Sequence, residues 1–152
     1  MMDHLRELYQ QLILDHNQNP RNFREISDCD YHKKGHNPLC GDQLDIFANV
    51  DNNVIIELTF TGSGCAISKA SASIMTETLT GKTIDEANNI FDKFREMAKS
   101  GSGVENLPVK LTVLSGIYKY PARVKCALLA WHTMYQSFNS NSNSDVNTEK
   151  AE

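Results

Sequence analysis

The sequence predicts an α+β fold, a small antiparallel sheet of two to three strands with helices packed on one face. Two observations carry that expectation. Between Gln43 and Phe60 apolar residues recur at every second position, the period of a strand with one buried face. On either side they recur at steps of three and four, the period of a helix with one buried stripe. With no internal repeat, that order gives one layer of helices on one sheet. A length of 152 residues suits a single domain that buries its core without disulfides.

In chain order, Asp3 is placed to cap a first helix in which Leu5, Leu8, Tyr9 and Leu12 share a face and which ends near Asn17 to Pro20. The Asn-rich stretch "NQNPRNFREISDCDYHKKGHNP" reads as a long connection pinned by its neighbours, with room for a short strand. Leu44, Ile46, Ala48 and Val50 then alternate with Gln43, Asp45, Phe47 and Asn49. Val54, Ile56, Leu58 and Phe60 repeat the period beyond the turn at Asp51-Asn52-Asn53, which predicts an antiparallel hairpin. "TGSGCAISKASASIMTETLTG" opens on glycines that permit a sharp turn and continues as a helix rich in small residues, so Cys65 falls where a strand hands over to a helix. Thr83 and Glu86 have capping-box spacing ahead of a helix with Ala87, Ile90, Phe91, Phe94 and Met97 on one face, ending at "KSGSG". "LPVKLTVLSGIYKYP" suits a strand or a short helix and is read as the helix. Pro121 opens a last helix with Val124, Leu128, Trp131, Tyr135 and Phe138 on one face and Cys126 in its first turn. The domain is expected to span residues 1–138, with 139–152, "NSNSNSDVNTEKAE", as a disordered polar tail.

A formal charge of -4, a pI near 5.7 and 22% charged residues leave no basic field for nucleic acid or an anionic membrane surface. The N-terminus carries acidic and basic residues inside its apolar pattern, unlike a signal peptide, and no run approaches the roughly 18 apolar residues of a membrane span. A cytoplasmic protein is expected. Its four cysteines are too few and too scattered for a disulfide framework and would be kept as thiols there.

Cys40 and Asp42 flank Gly41 at the head of a strand, Cys65 follows a Gly-Ser-Gly turn, and Cys126 lies near another helix start. Thiols at helix N-termini feel the positive end of the macrodipole, which favours the thiolate needed for nucleophilic attack or metal binding. Three thiolates and a carboxylate would make a tetrahedral site that suits zinc first, with iron as competitor. The same residues also fit a plainer reading, in which free thiols are buried and Asp42 supports a turn; spacing alone leaves both open. Cys29 lies in the irregular stretch and stays outside the set. His4, His16 and His132 fall on helices as packed or exposed residues, and His36 is a minor alternative ligand. Arg123 and Lys125 flank the approach to Cys126, either offsetting a negatively charged site or standing as solvated cations.

Taken together, "DHNQNPRN", "NPLCGDQL", "GSGCAISKASASIM" and "YPARVKCALLAW" resemble the sequence marks of the SufU branch of the IscU-like iron-sulfur cluster assembly proteins, from about Leu5 to Trp131. The long segment between Cys65 and Cys126, and Lys125 where the scaffold branch has a histidine, favour SufU over the housekeeping scaffold IscU. "NLPVK" at Asn106 to Lys110 resembles the scaffold's chaperone-recognition motif but stands at the wrong place. The resemblance implies the SufE/NifU (IscU-like) fold and Cys40, Asp42, Cys65 and Cys126 as zinc ligands. It further implies a zinc-dependent sulfurtransferase in which Cys40 accepts sulfur as a persulfide from a SufS-type cysteine desulfurase and Arg123 assists at the site or the partner interface. A SufBCD-type scaffold or apo-proteins would take the sulfur onward. The alternative is a non-enzymatic scaffold that builds a [2Fe-2S] cluster on the same cysteines.

Overall fold

The computed structural model describes residues 2–140 and 144–149, with side chains from residue 6 onward. Helix α1, Met2–Gln18, leads through an irregular loop to strands β1, Tyr31–Asn37, β2, Asp42–Asp51, and β3, Val54–Ser63. Helices α2, Ala66–Leu79, and α3, Ile84–Ser100, follow, then 3-10 segments at Val104–Asn106 and Val109–Lys119. Helix α4, Pro121–Asn139, and a two-residue strand β4, Val146–Asn147, complete the described order. The sheet runs β3-β2-β1-β4, antiparallel except for β4, which lies parallel to β1.

The expected α+β layer is present, with one strand more than the sequence suggested. The polar segment read as a disordered tail supplies that strand, pairing Val146 with Gly35 and Asn147 with His36. Its Asn/Ser composition concealed the element because Val146 is the one apolar residue it buries. Residues 141–143 and 150–152 of the tail lie outside the described residues, as does the side chain of Asp3, the expected cap of α1. The short strand allowed for in the long connection is β1.

The hairpin turn falls where Asn52 and Asn53 adopt φ of 53° and 67°, the left-handed pair that a two-residue turn between twisted strands requires and that asparagine tolerates. Beyond it the alternation slips. Val50 pairs with Ile55 and Asn49 with Glu57, so Ile56 is an extra, bulged residue that faces solvent while Ile55 is fully buried. The expected inward series therefore holds for Leu58 and Phe60 but replaces Ile56 with Ile55. In α1 the buried stripe is also rotated: Leu8 is exposed, whereas Tyr9, Leu12, Ile13 and the fully buried His16 face the core.

Small residues decide how the helices meet. Ala70, Ser71, Ala72 and Ser73 of α2 are all fully buried, and Ser71 Oγ donates to the Ala127 carbonyl at 2.6 Å while accepting from Trp131 Nε1 at 3.1 Å. With such short side chains at the contact, α2 and α4 approach closely and lock in register. Trp131 stacks on Phe94 of α3 at 4.5 Å between ring centroids, which joins α3 to the same core. Helix α3 starts with the expected capping box, Thr83 Oγ1 accepting from Glu86 N at 3.1 Å and Glu86 Oε1 accepting from Thr83 N at 3.0 Å. The irregular loop is pinned as anticipated: Arg21 N donates to Ser73 Oγ, Phe60 N to the Asn22 carbonyl and Val50 N to Asp30 Oδ2.

Candidate metal centre

Four elements deliver the sequence-predicted residues to one end of the sheet. The β1–β2 turn closes on Asn37, whose carbonyl accepts from Cys40 N at 3.2 Å and Gly41 N at 2.8 Å. Gly41 takes φ of 74°, a left-handed conformation that lets the chain reverse within one residue. Cys40 is thereby left exposed at the tip while Asp42, the first residue of β2, turns inward and is fully buried.

Asp42 Oδ1 accepts from the backbone N of Cys65 at 2.8 Å, so the carboxylate closes the positive end of α2. Gly64 makes room for it, since a Cβ there would come within 2.7 Å of Asp42 Oδ1. Cys65 is the N-cap of α2, half-buried, its Sγ accepting from Ser68 N at 3.4 Å and lying 4.0 Å from Asp42 Oδ2. Cys126 is fully buried, with its Sγ 3.4 Å from Cys40 Sγ. The ligand atoms of Cys40, Asp42 and Cys126 all lie within 4.8 Å of one another.

The two inner thiols differ in kind. A hydrogen bond from Cys126, aided by the Ser68 amide and opposed by burial and the Asp42 charge, lowers the Cys65 pKa to about 6. Cys126 is driven strongly upward by that same pairing with Cys65, by burial and by Cys40. The helix start contributes at Cys65 through the Ser68 amide, second to the hydrogen bond from Cys126. Nothing of the kind offsets the upward shift of Cys126, which lies in the second turn of α4, not the expected first, past the free amides of the N-terminus.

This arrangement can hold a soft divalent cation. Sulfurs bonded to a tetrahedral zinc at about 2.3 Å stand roughly 3.8 Å apart; those of Cys40 and Cys126 lie 3.4 Å apart, while Cys65 stands beside the three-residue group, 4.0 Å from Asp42 Oδ2. Asp42 is a fully buried carboxylate that no lysine or arginine of the described residues pairs with. Such a group needs compensating positive charge, and three sulfurs beside it make zinc fit the donor set.

Arg123 stands exposed on the first turn of α4, and Lys125 forms an ion pair with Glu149 at 3.0 Å. Cys29 donates to the Tyr31 carbonyl away from the cluster. His36 sits on β1 next to Asn37 but, by strand alternation, on the opposite face, and His132 is packed against Phe91. Sequence reasoning missed Asn37 and Thr148. The buried Asn37 amide lies 3.5 Å from both Asp42 Oδ2 and Cys126 Sγ, and its carbonyl accepts from Thr148 Oγ1 at 2.9 Å. Asn37 opens the quoted "NPLCGD" stretch, but nothing local marks it as buried, and nothing in the tail's composition marked Thr148.

A small mixed sheet backed by helices, with cysteines converging beside a buried aspartate, defines a class: the chain belongs to the family of NifU-like N-terminal domains, whose model matches residues 8–127. The zinc-dependent sulfurtransferase SufU of Bacillus subtilis is 36% identical over 128 residues, covering 84% of this chain and 86% of the relative. The iron-sulfur cluster assembly scaffold protein IscU of Thermotoga maritima is 34% identical over 131 residues, covering 86% and 92%. Among solved structures, an iron-sulfur cluster assembly scaffold protein of the SUF system from Fervidobacterium islandicum superposes with a TM-score of 0.82 at 30% identity, covering 88% of this chain and 98% of that one.

Proposed function

We propose that the protein is a zinc-dependent sulfur acceptor in iron-sulfur cluster biogenesis, with Cys40, Asp42, Cys65 and Cys126 as zinc ligands and Cys40 as the residue that receives sulfur. The observation that carries this reading is the asymmetry of exposure: Cys40 lies open at a turn tip, while Asp42 and Cys126 are fully buried and Cys65 is half-buried. Bound zinc would neutralise Asp42 and favour deprotonated sulfur ligands without redox chemistry of its own. The name of the Bacillus subtilis relative supports the same activity.

The donor in this reading is a SufS-type cysteine desulfurase that carries a persulfide on its own cysteine. The Cys40 thiolate attacks the outer sulfur, the S–S bond of the desulfurase persulfide breaks, and the desulfurase cysteine leaves as a thiolate. Cys40 then holds the sulfur as a persulfide, with no oxidant or reductant consumed. Asp42 and Cys126 stay anchored beneath the turn while Cys40 meets the partner, and Arg123 contributes from the exposed first turn of α4. A SufBCD-type scaffold or an apo-protein takes the sulfur onward, in the cytoplasm where thiols stay reduced. The ion pair of Lys125 with Glu149 favours sulfur transfer over cluster scaffolding, since an ammonium donates hydrogen bonds but offers no lone pair to a metal.

Alanine production from cysteine by a SufS-type desulfurase tests the reading, with zinc-loaded and metal-stripped protein and with Cys40→Ala. Stimulation by the zinc-loaded form alone, lost in Cys40→Ala, is expected. Full stimulation by Cys40→Ala removes Cys40 from the role. No stimulation, together with a stable [2Fe-2S] chromophore on reconstitution, replaces the reading with the scaffold.

A further inference from the structure

We propose that Thr148 is a positioning residue of the metal centre: through the Asn37 carboxamide, strand β4 sets the orientation of Asp42 and Cys126. The inference rests on the zinc reading above and adds to it a residue that lies outside the stretch matched to the family model.

Asn37 is fully buried between the sheet and α4, and its amide has two different ends. The NH2 end lies 3.5 Å from Asp42 Oδ2 and 3.5 Å from Cys126 Sγ, where it offers a proton to each acceptor. The carbonyl end accepts from Thr148 Oγ1 at 2.9 Å. Turned over, the amide would press its oxygen against the Asp42 carboxylate and Cys126 sulfur, so the Thr148 hydroxyl satisfies the one orientation that helps the site.

Thr148 itself has little freedom. Its side chain is buried, its backbone N donates to the His36 carbonyl at 3.1 Å, and the two preceding residues pair with Gly35 and His36. The next residue, Glu149, is tied to Lys125, the neighbour of Cys126, at 3.0 Å. The strand is thus fastened to β1 and to α4, the two elements whose separation sets where Asn37 meets Cys126. A valine would fill the same space, so the hydroxyl is what distinguishes positioning from packing. Hydrogen-bond partners one step behind metal ligands typically change metal affinity by about 10- to 100-fold when removed.

The test measures zinc affinity of the full chain by competition with a chromophoric chelator, and the absorption bands of the Co(II)-substituted protein. Thr148→Val is expected to weaken zinc binding about tenfold and to shift the Co(II) ligand-field bands, and Thr148→Ser to restore both. In an Asn37→Ala background, Thr148→Val should cost nothing further. Affinity for Thr148→Val within about twofold of the parent, or an undiminished loss in the Asn37→Ala background, overturns the proposal. Failure of the parent chain to bind zinc overturns the zinc reading itself and this inference with it.

Discussion

Asp42 is held by what its neighbours lack as much as by what they offer. Gly64 leaves the space its Oδ1 occupies, and the Cys65 amide supplies the hydrogen bond that fixes it there. Gly64→Ala is expected to push the carboxylate aside, costing about 1–3 kcal/mol of stability and weakening metal binding at least as much as loss of an outer-shell partner does. Urea denaturation of the metal-free protein and zinc titration of the same sample check the two effects separately. The placing of Gly41, Gly64 and the cysteines at turns and helix starts was legible in the sequence because glycine at those points permits a sharp reversal, whereas spacing alone left the use of the cysteines open. The distinction between Cys65 and Cys126 was not, since it depends on how the two thiols pair with each other and how deeply each is buried. Asn37 and Thr148 were hidden for a related reason: a buried hydrogen bond across 111 residues of sequence leaves no local pattern.

The elements were read best where a local rule is stereochemical. The capping box of α3, the Asn52-Asn53 turn and Pro121 at the start of α4 each follow from backbone geometry that few residues satisfy. The bulge at Ile56 and the rotated stripe of α1 follow from packing, which periodicity alone does not encode. Packing also makes α4 sensitive to acid. Burial, reinforced by Arg95 and Lys99, lowers the His132 pKa to about 4 from an ordinary 6.5. As pH falls, the unfolded chain takes up this proton before the folded one, so the contribution to stability is complete above about pH 6.5 and is lost towards pH 4. The loss from this group is of order 3 kcal/mol at most. Burial shifts His16 in the same direction. Urea midpoints of the metal-free protein should therefore decline over that interval, and less steeply for His132→Leu.

For the molecule as a whole, the candidate ligands come from the β1–β2 turn, β2, α2 and α4, around a core that is already extensive without metal. Zinc removal should leave the far-UV circular dichroism largely intact while lowering the melting temperature. A ligand bound to the folded state alone at a thousand times its Kd contributes about 4 kcal/mol, or roughly 10 °C for a chain of this size. Equal melting of loaded and stripped protein would show that the cation does not bind the folded state, and wholesale loss of helix on stripping would make it a folding cofactor. In the proposed arrangement, the strand that orients the Asn37 amide also imposes an order in time. Synthesis runs from the N-terminus, and Asn37 is made 111 residues before Thr148. Through that interval the nascent chain carries Asn37, Cys40 and Asp42, and Cys126 joins them only 22 residues before the Thr148 hydroxyl that the amide carbonyl accepts from. The polypeptide can therefore display thiols well before it can present a finished cradle, and the topology itself sets how late in synthesis the two coincide.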